Sequence, residues 1–135
     1  MNKPTDPPRA FHKLAWAWLA ESHERFPEEA SALGLSEFDA RLGANDVATH
    51  LAQNAANAKT LAAVEALPEA EFRGDDYLDR RGFLAMLRTA QFFEERHERW
   101  RTNPQRHVDG AISAIFDLVV RNAKSLRRAH PAIES

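Results

Sequence analysis

Prolines at positions 27, 68, 104 and 131 cut this chain into stretches of helical periodicity, and that punctuation constrains its fold more than any other feature. A proline ring fixes its own backbone torsion and removes an N–H. It is tolerated in the first turn of a helix and breaks one anywhere further in. Asp6, followed by Pro7 and Pro8, reads as a helix cap, and a first helix is predicted from about Arg9 to Phe26. Phe11, Leu14, Ala15, Trp18 and Ser22 share one of its faces, with Trp16, Leu19, His23 and Phe26 in a second row beside it. Pro27 starts a short helix with Glu28 and Glu29 in its positive first turn and Gly34 as a left-handed C-cap, before a loop from Leu35 to Gly43.

Asn45 or Asp46 caps a second long helix, from about Val47 to Leu67, with a face of Val47, Leu51, Ala55, Ala58, Leu61 and Ala62. Pro68 ends it, and residues 69–75 form a connector. A third helix is predicted from about Asp76 to Arg101, aligning Phe83, Met86, Leu87, Ala90, Phe93, His97 and Trp100. Asn103 and Pro104 repeat the cap-then-proline device and open a fourth, from about Gln105 to Ala129. Its stripe is Val108, Ala111, Ile112, Ile115, Phe116, Val119, Ala123 and Leu126. The prediction is an all-α, single-domain bundle of four long helices and one short one, spanning residues 1–135 with flexible ends at 1–8 and 131–135 and mostly antiparallel neighbours.

Charge and composition remove several classes of function. Eighteen Lys and Arg against twenty Asp and Glu leave a net charge of -2, so no global field draws the chain to nucleic acid. With no cysteine there is no disulfide, thiolate metal site or thiol nucleophile. The apolar run from Leu14 to Ala20 falls well short of the roughly 20 residues a membrane span needs. Glu21, His23, Glu24 and Arg25 follow it in place of a leader cleavage site, so a cytoplasmic protein with no membrane partner is expected.

No catalytic constellation emerges. A zinc-peptidase helix needs two histidines four apart with a glutamate after the first. His23-Glu24 and His97-Glu98 begin such a motif, but Pro27 and Arg101 occupy the place of its second histidine. Glu94 and His97 supply one Glu-x-x-His pair of the kind used in di-metal bundles, which makes them the candidate metal ligands. The simpler reading sets His97 on or beside the core stripe, hydrogen-bonded, with Glu94, Glu95 and Glu98 on a solvated face. Serines lie in no nucleophile setting. Arg121, Lys124, Arg127, Arg128 and His130 complement the C-terminal dipole of the last helix. Trp16, Trp18 and Trp100 are read as core residues first and as a partner surface second.

The order Pro27, Ala30, Leu33-Gly34, Phe38-Asp39, Arg41-Leu42 resembles the opening of the bacterial domain-of-unknown-function family 885, which is similar to zinc-dependent peptidases. Asp76 and Leu78, Glu94 or Glu95 before Trp100, Asn103-Pro104 and an arginine-rich helix leading to Pro131 keep the same order. His107 stands where the family usually has a tyrosine, and the family's His-Glu zinc motif is absent. The resemblance implies the helical N-terminal portion of such a protein, without catalytic residues and without a cofactor of its own, zinc being expected only in a longer member. Such a portion would act by packing on a protein partner: the catalytic part, another chain or its own copy. Trp16, Leu19, Leu78 and Phe92, with Ala85, are the expected partner surface. A core that binds a metal or small ligand and a stand-alone regulatory protein are the alternatives.

Overall fold

The structure is a computed structural model that describes residues 6–129, and the side chains of these apart from 106, 107 and 122–129. Among the described residues every regular element is helical and no strand occurs. Helices α1 (Pro7–Arg25), α2 (Pro27–Ala32), α3 (Val47–Glu65), α4 (Gly74–Ala90), α5 (Arg99–Thr102) and α6 (Pro104–Ala129) are joined by 3-10 turns at Ser36–Phe38 and Glu69–Glu71 and a π-helical turn at Gln91–Arg96. Pro7 and Pro8, expected in a flexible end, form the first turn of α1. Residues 1–5 and 131–135, the rest of those ends, lie outside the described residues.

The punctuation acts as local chemistry demands. Asp6 precedes α1 and accepts Ala10 N–H through its main-chain oxygen at 2.9 Å, without a side-chain cap. Gly34 has φ 91°, a torsion that costs a residue with a Cβ. It lets Gly34 N–H reach Ser31 O at 2.9 Å and Leu35 N–H reach Ala30 O at 3.2 Å, the paired bonds of a Schellman stop. Of the two caps considered for α3, Asp46 takes the role, accepting Thr49 N–H at 2.8 Å. That bond favours the charged carboxylate and holds Asp46 below the usual carboxylate range.

The core sits where α1, α3 and α4 meet. Phe11, Leu61, Val64, Phe72, Leu84 and Leu87 form its buried cluster, with Leu14, Ala15, Trp18 and Phe83 packed against it. Aromatic edges fix the arrangement: Phe11 meets Phe72 at 6.0 Å and Phe83 at 5.8 Å, and Trp18 meets Phe83 at 5.5 Å between centroids. The first predicted face of α1 is the packed one.

On α3 the packed face differs from the predicted one. His50, Asn57, Leu61 and Val64 are buried, while Val47, Leu51, Ala55, Ala58 and Ala62 are exposed. Two of the buried positions are polar and are hydrogen-bonded, Asn57 in part across to α1 and His50 to the segment before its own helix, so apolar periodicity pointed to the wrong side. Asn57 Oδ1 accepts from Trp18 Nε1 at 2.9 Å and from Gln53 Nε2 at 3.0 Å, and His50 Nε2 pairs with Asn45 Oδ1 at 2.8 Å.

The third predicted helix is broken rather than continuous to Arg101. α4 widens into the π turn, and Glu98 then adopts φ 45°, a left-handed torsion. The break turns Trp100 inward, where its ring stacks on His50 at 5.1 Å and 10°. Trp100 Nε1 and Asn54 Nδ2 both donate to Glu94 O, at 3.2 Å and 3.4 Å, at the widened turn. Thr102 Oγ1 donates to the carbonyls of His97 and Glu98 at 3.3 Å and 3.2 Å. Burial of one indole thus accompanies a bend that redirects the chain into α6.

Candidate interaction surface

α6 packs principally against α2 and α5, beside the α1–α3–α4 core rather than within it. Its inward side carries Gly110, Ser113, Ala114 and Asp117, which line a cavity of about 220 Å³ shared with Phe26, Glu28, Glu29 and His50, and the half-buried Leu118, which with Ile115 at the edge of the stripe lines another of about 220 Å³ against Ser31, Asp39 and Leu42. Arg121 anchors the contact. Its Nη2 donates to Ser31 Oγ at 2.7 Å and to Asp39 Oδ1 at 3.2 Å, and Ser31 Oγ donates to the same carboxylate at 2.7 Å. The remaining predicted cations, Lys124, Arg127, Arg128 and His130, lie outside the described side chains.

The predicted stripe of α6 points away from the body. Ile112, Ile115 and Phe116 are 62%, 66% and 63% exposed, and Val108, Val119 and Val120 are about as open. At 100° per residue, Arg121, Ala114 and Gly110 fall on the side opposite Ile112 and Val119. The stripe was therefore legible in the sequence, but its expected burial in the bundle is corrected. α6 docks through small residues, the half-buried Leu118 and the Arg121–Asp39 ion pair, and leaves most of its large apolar side chains outside that contact. Ala123 and Leu126, the last two residues of that stripe, fall outside the described side chains.

Of the four residues expected on a partner surface, Trp16, Leu78 and Phe92 are exposed and Leu19 is half-buried. Trp16, 68% exposed, and the half-buried Leu19 line an apolar groove of about 310 Å³ between α1 and α4, with Phe83 and Met86. Leu78 is exposed near the start of α4. Phe92 belongs to the π turn, where its ring meets Phe93 and His97 at 5.1 Å and 4.7 Å, and Ala85 is exposed on α4. Trp18 and Trp100 pack inside, as the core reading had them.

The metal candidates sit together on the π turn without a ligand set around them. His97 is exposed against Phe92, contrary to its predicted place by the core stripe, and the Glu94 main-chain oxygen serves Trp100 and Asn54. Among the described residues no group of three or more His, Asp or Glu side chains could hold a metal ion. His23, in the other near-miss motif, stands edge-on to Phe38 at 5.9 Å.

A polar seam crosses the body beside these elements. Arg25 Nη1 donates to Gln53 Oε1 at 3.1 Å, Gln53 donates to Asn57, and Asn57 accepts from Trp18. A cavity of about 370 Å³ opens along it, reaching Glu29, His50, Glu94 and Arg99. At the rim, Arg41 grips Glu24 with two bonds of 3.3 Å and 2.7 Å, tying the loop after α2 to α1 and drawing the carboxylate below its usual range.

The sequence reading did not mark His50, Asn57 or Arg80 as buried. Periodicity gives no signal for such residues, since their burial depends on partners brought together by the fold. Among the described residues no helix is long and apolar enough to cross a membrane. Comparison of the chain with protein-family models, with curated proteins and with solved structures returned no match.

Proposed function

We propose that this chain is a non-catalytic helical domain that acts by packing against another protein, with the outward face of α6 as its principal contact. The observation that carries this reading is the contiguous exposure of Ile112, Ile115, Phe116 and Val119 on a helix held to the body by its polar side. Single exposed apolar residues need no explanation, but a continuous stripe of large ones on a water-facing helix marks a surface that is covered in use. A second apolar opening is the Trp16 groove between α1 and α4.

The order of helix stops and starts adds a proposal about lineage. On the resemblance to family 885, the partner would be a zinc-peptidase-like catalytic portion, and the zinc and the nucleophilic water would belong to that portion. The stand-alone domain is accordingly expected to cleave no peptide.

Site-specific photo-crosslinking in the native host tests the interaction reading. A photoreactive residue at Ile115 should capture one defined polypeptide, and the capture should be lost when Ile112→Asp is added. The same group at the exposed Lys59 should not capture it. Crosslinking at Ile115 no stronger or more selective than at Lys59 would refute the proposal.

A further inference from the structure

We infer that the α6 face is completed by α6 of a second copy of this chain, packed antiparallel as a two-helix seam. The inference rests on the reading of α6 as an interaction surface and commits that surface to one occupant. Its first support is spacing. Val108, Ile112, Ile115 and Val119 recur at intervals of four, three and four, the seam period of a left-handed helix pair, with Phe116 and Val120 widening the stripe on one flank.

The face is also self-complementary. An antiparallel pair that sets Ile112 against Ile115 of the second copy also sets Val108 against that copy's Val119.

Charge selects the direction. The helix carries Arg106, Asp109 and Asp117 in its first part, a net charge of -1, and Arg121, Lys124, Arg127 and Arg128 in the sequence after Val120, a net charge of +4. A parallel pair would superimpose the two cationic ends. An antiparallel pair separates them by the length of the helix and opposes the two dipoles.

The open area fits a reversible dimer. Six large side chains, each roughly 60% exposed, offer on the order of 600 Å² per copy. About 1,200 Å² in total lies at the lower edge of specific interfaces, which points to micromolar rather than nanomolar association. The inward side of α6 is already taken by α2, so a second copy can approach without unfolding the first.

Sedimentation velocity of the full chain, from about 1 to about 100 µM, should show a reversible monomer–dimer equilibrium. Ile112→Asp should weaken it at least about tenfold while leaving the far-ultraviolet helix signal unchanged. Since the chain has no cysteine, direction can be read by mixing V108C and V119C chains under mild oxidation. The antiparallel register predicts the mixed disulfide, because two copies of position 108 would stand about 16 Å apart along the axis at 1.5 Å per residue. Homodisulfides of V108C in excess of the mixed product would overturn the inference, and so would a monomer at every concentration. In the monomer case, selective capture of a different polypeptide at Ile115 would leave the interaction reading standing, and its absence would end both.

Discussion

Replacing Arg80 should show that a buried cation holds the end of α3 in place. Its side chain is 5% exposed, while its ion-pair partner Glu69 is 63% exposed. Nη1 donates to Glu69 Oε2 at 3.2 Å, and Nη2 donates to Val64 O at 3.4 Å and Leu67 O at 3.3 Å. Those carbonyls belong to the last turn of α3 and the residues after it, where a helix has no acceptors' partners of its own. The guanidinium also lies over the Phe72 ring at 5.1 Å. Val64 O keeps the Leu67 N–H at 3.2 Å, so the larger loss on truncation falls on Leu67 O. Leu67 is only half-buried, so losing the donor to its carbonyl costs about 1 kcal/mol, the lower end of the range for a buried acceptor. Lost stem and ring packing adds about 1 kcal/mol. Against this, Arg80 Nε is buried with no partner among the described residues, and removing it returns part of the desolvation cost. Arg80→Ala should therefore destabilise by about 1–2 kcal/mol. Arg80→Met, which keeps the stem, should cost about 1 kcal/mol. Glu69→Gln should cost less than about 1 kcal/mol, because its carboxylate stays in water. Urea denaturation followed by circular dichroism at low protein concentration gives all three. A methionine variant more stable than the parent would mean that burying the charge costs more than its capping bonds return. An alanine variant within about 0.5 kcal/mol would refute the clamp altogether.

Three further outcomes follow from single positions. A Cβ on Gly43 would stand 2.6 Å from Arg25 O and 3.2 Å from Glu28 Oε2, so Gly43→Ala should lower stability by about 1–3 kcal/mol in the same denaturation assay. Gly34→Ala meets nothing within 4 Å and should cost only the strain of φ 91°, about 1 kcal/mol. Leu87, fully buried, should lose about 2–5 kcal/mol on change to Ala, whereas Ile112→Asp should stay within about 0.5 kcal/mol where the chain is monomeric. Asp46 has its pKa lowered by the Thr49 N–H bond. Its capping contribution should be complete above the ordinary Asp range and fade as pH falls below about 4, through the lowered value. A carboxyl NMR titration of Asp46 checks the direction, and a midpoint at or above that of a model peptide would contradict the cap.

Sequence reasoning succeeded where the controlling physics is local and failed where burial depends on distant partners. Pro27, Gly34, Asp46 and Pro104 act through their own torsions and the nearest amides, so the helix starts and stops they mark could be placed from neighbouring residues alone. The first row of α1 was also readable, because Phe11, Leu14 and Trp18 meet apolar residues. On α3 the same method chose the alanine side, since the residues that turn inward are a histidine stacked on Trp100 and an asparagine bonded to Trp18. Neither partner lies on the same helix. Trp100 was correctly expected inside, yet it arrives there through a π turn and a left-handed Glu98 that a continuous 3.6-residue pattern does not contain.

α6 separates the two kinds of information most sharply. Periodicity locates an apolar stripe but carries no statement of what covers it, because burial belongs to a pair of surfaces. Within this chain the competing surface of α6 is small, and Arg121 fixes it to Ser31 and Asp39 with directional bonds that the apolar side cannot form. A helix has only one side to give to its own body. Holding α6 by the polar side leaves the apolar side outward, and the hydrophobic free energy of that side remains unspent until a second surface meets it.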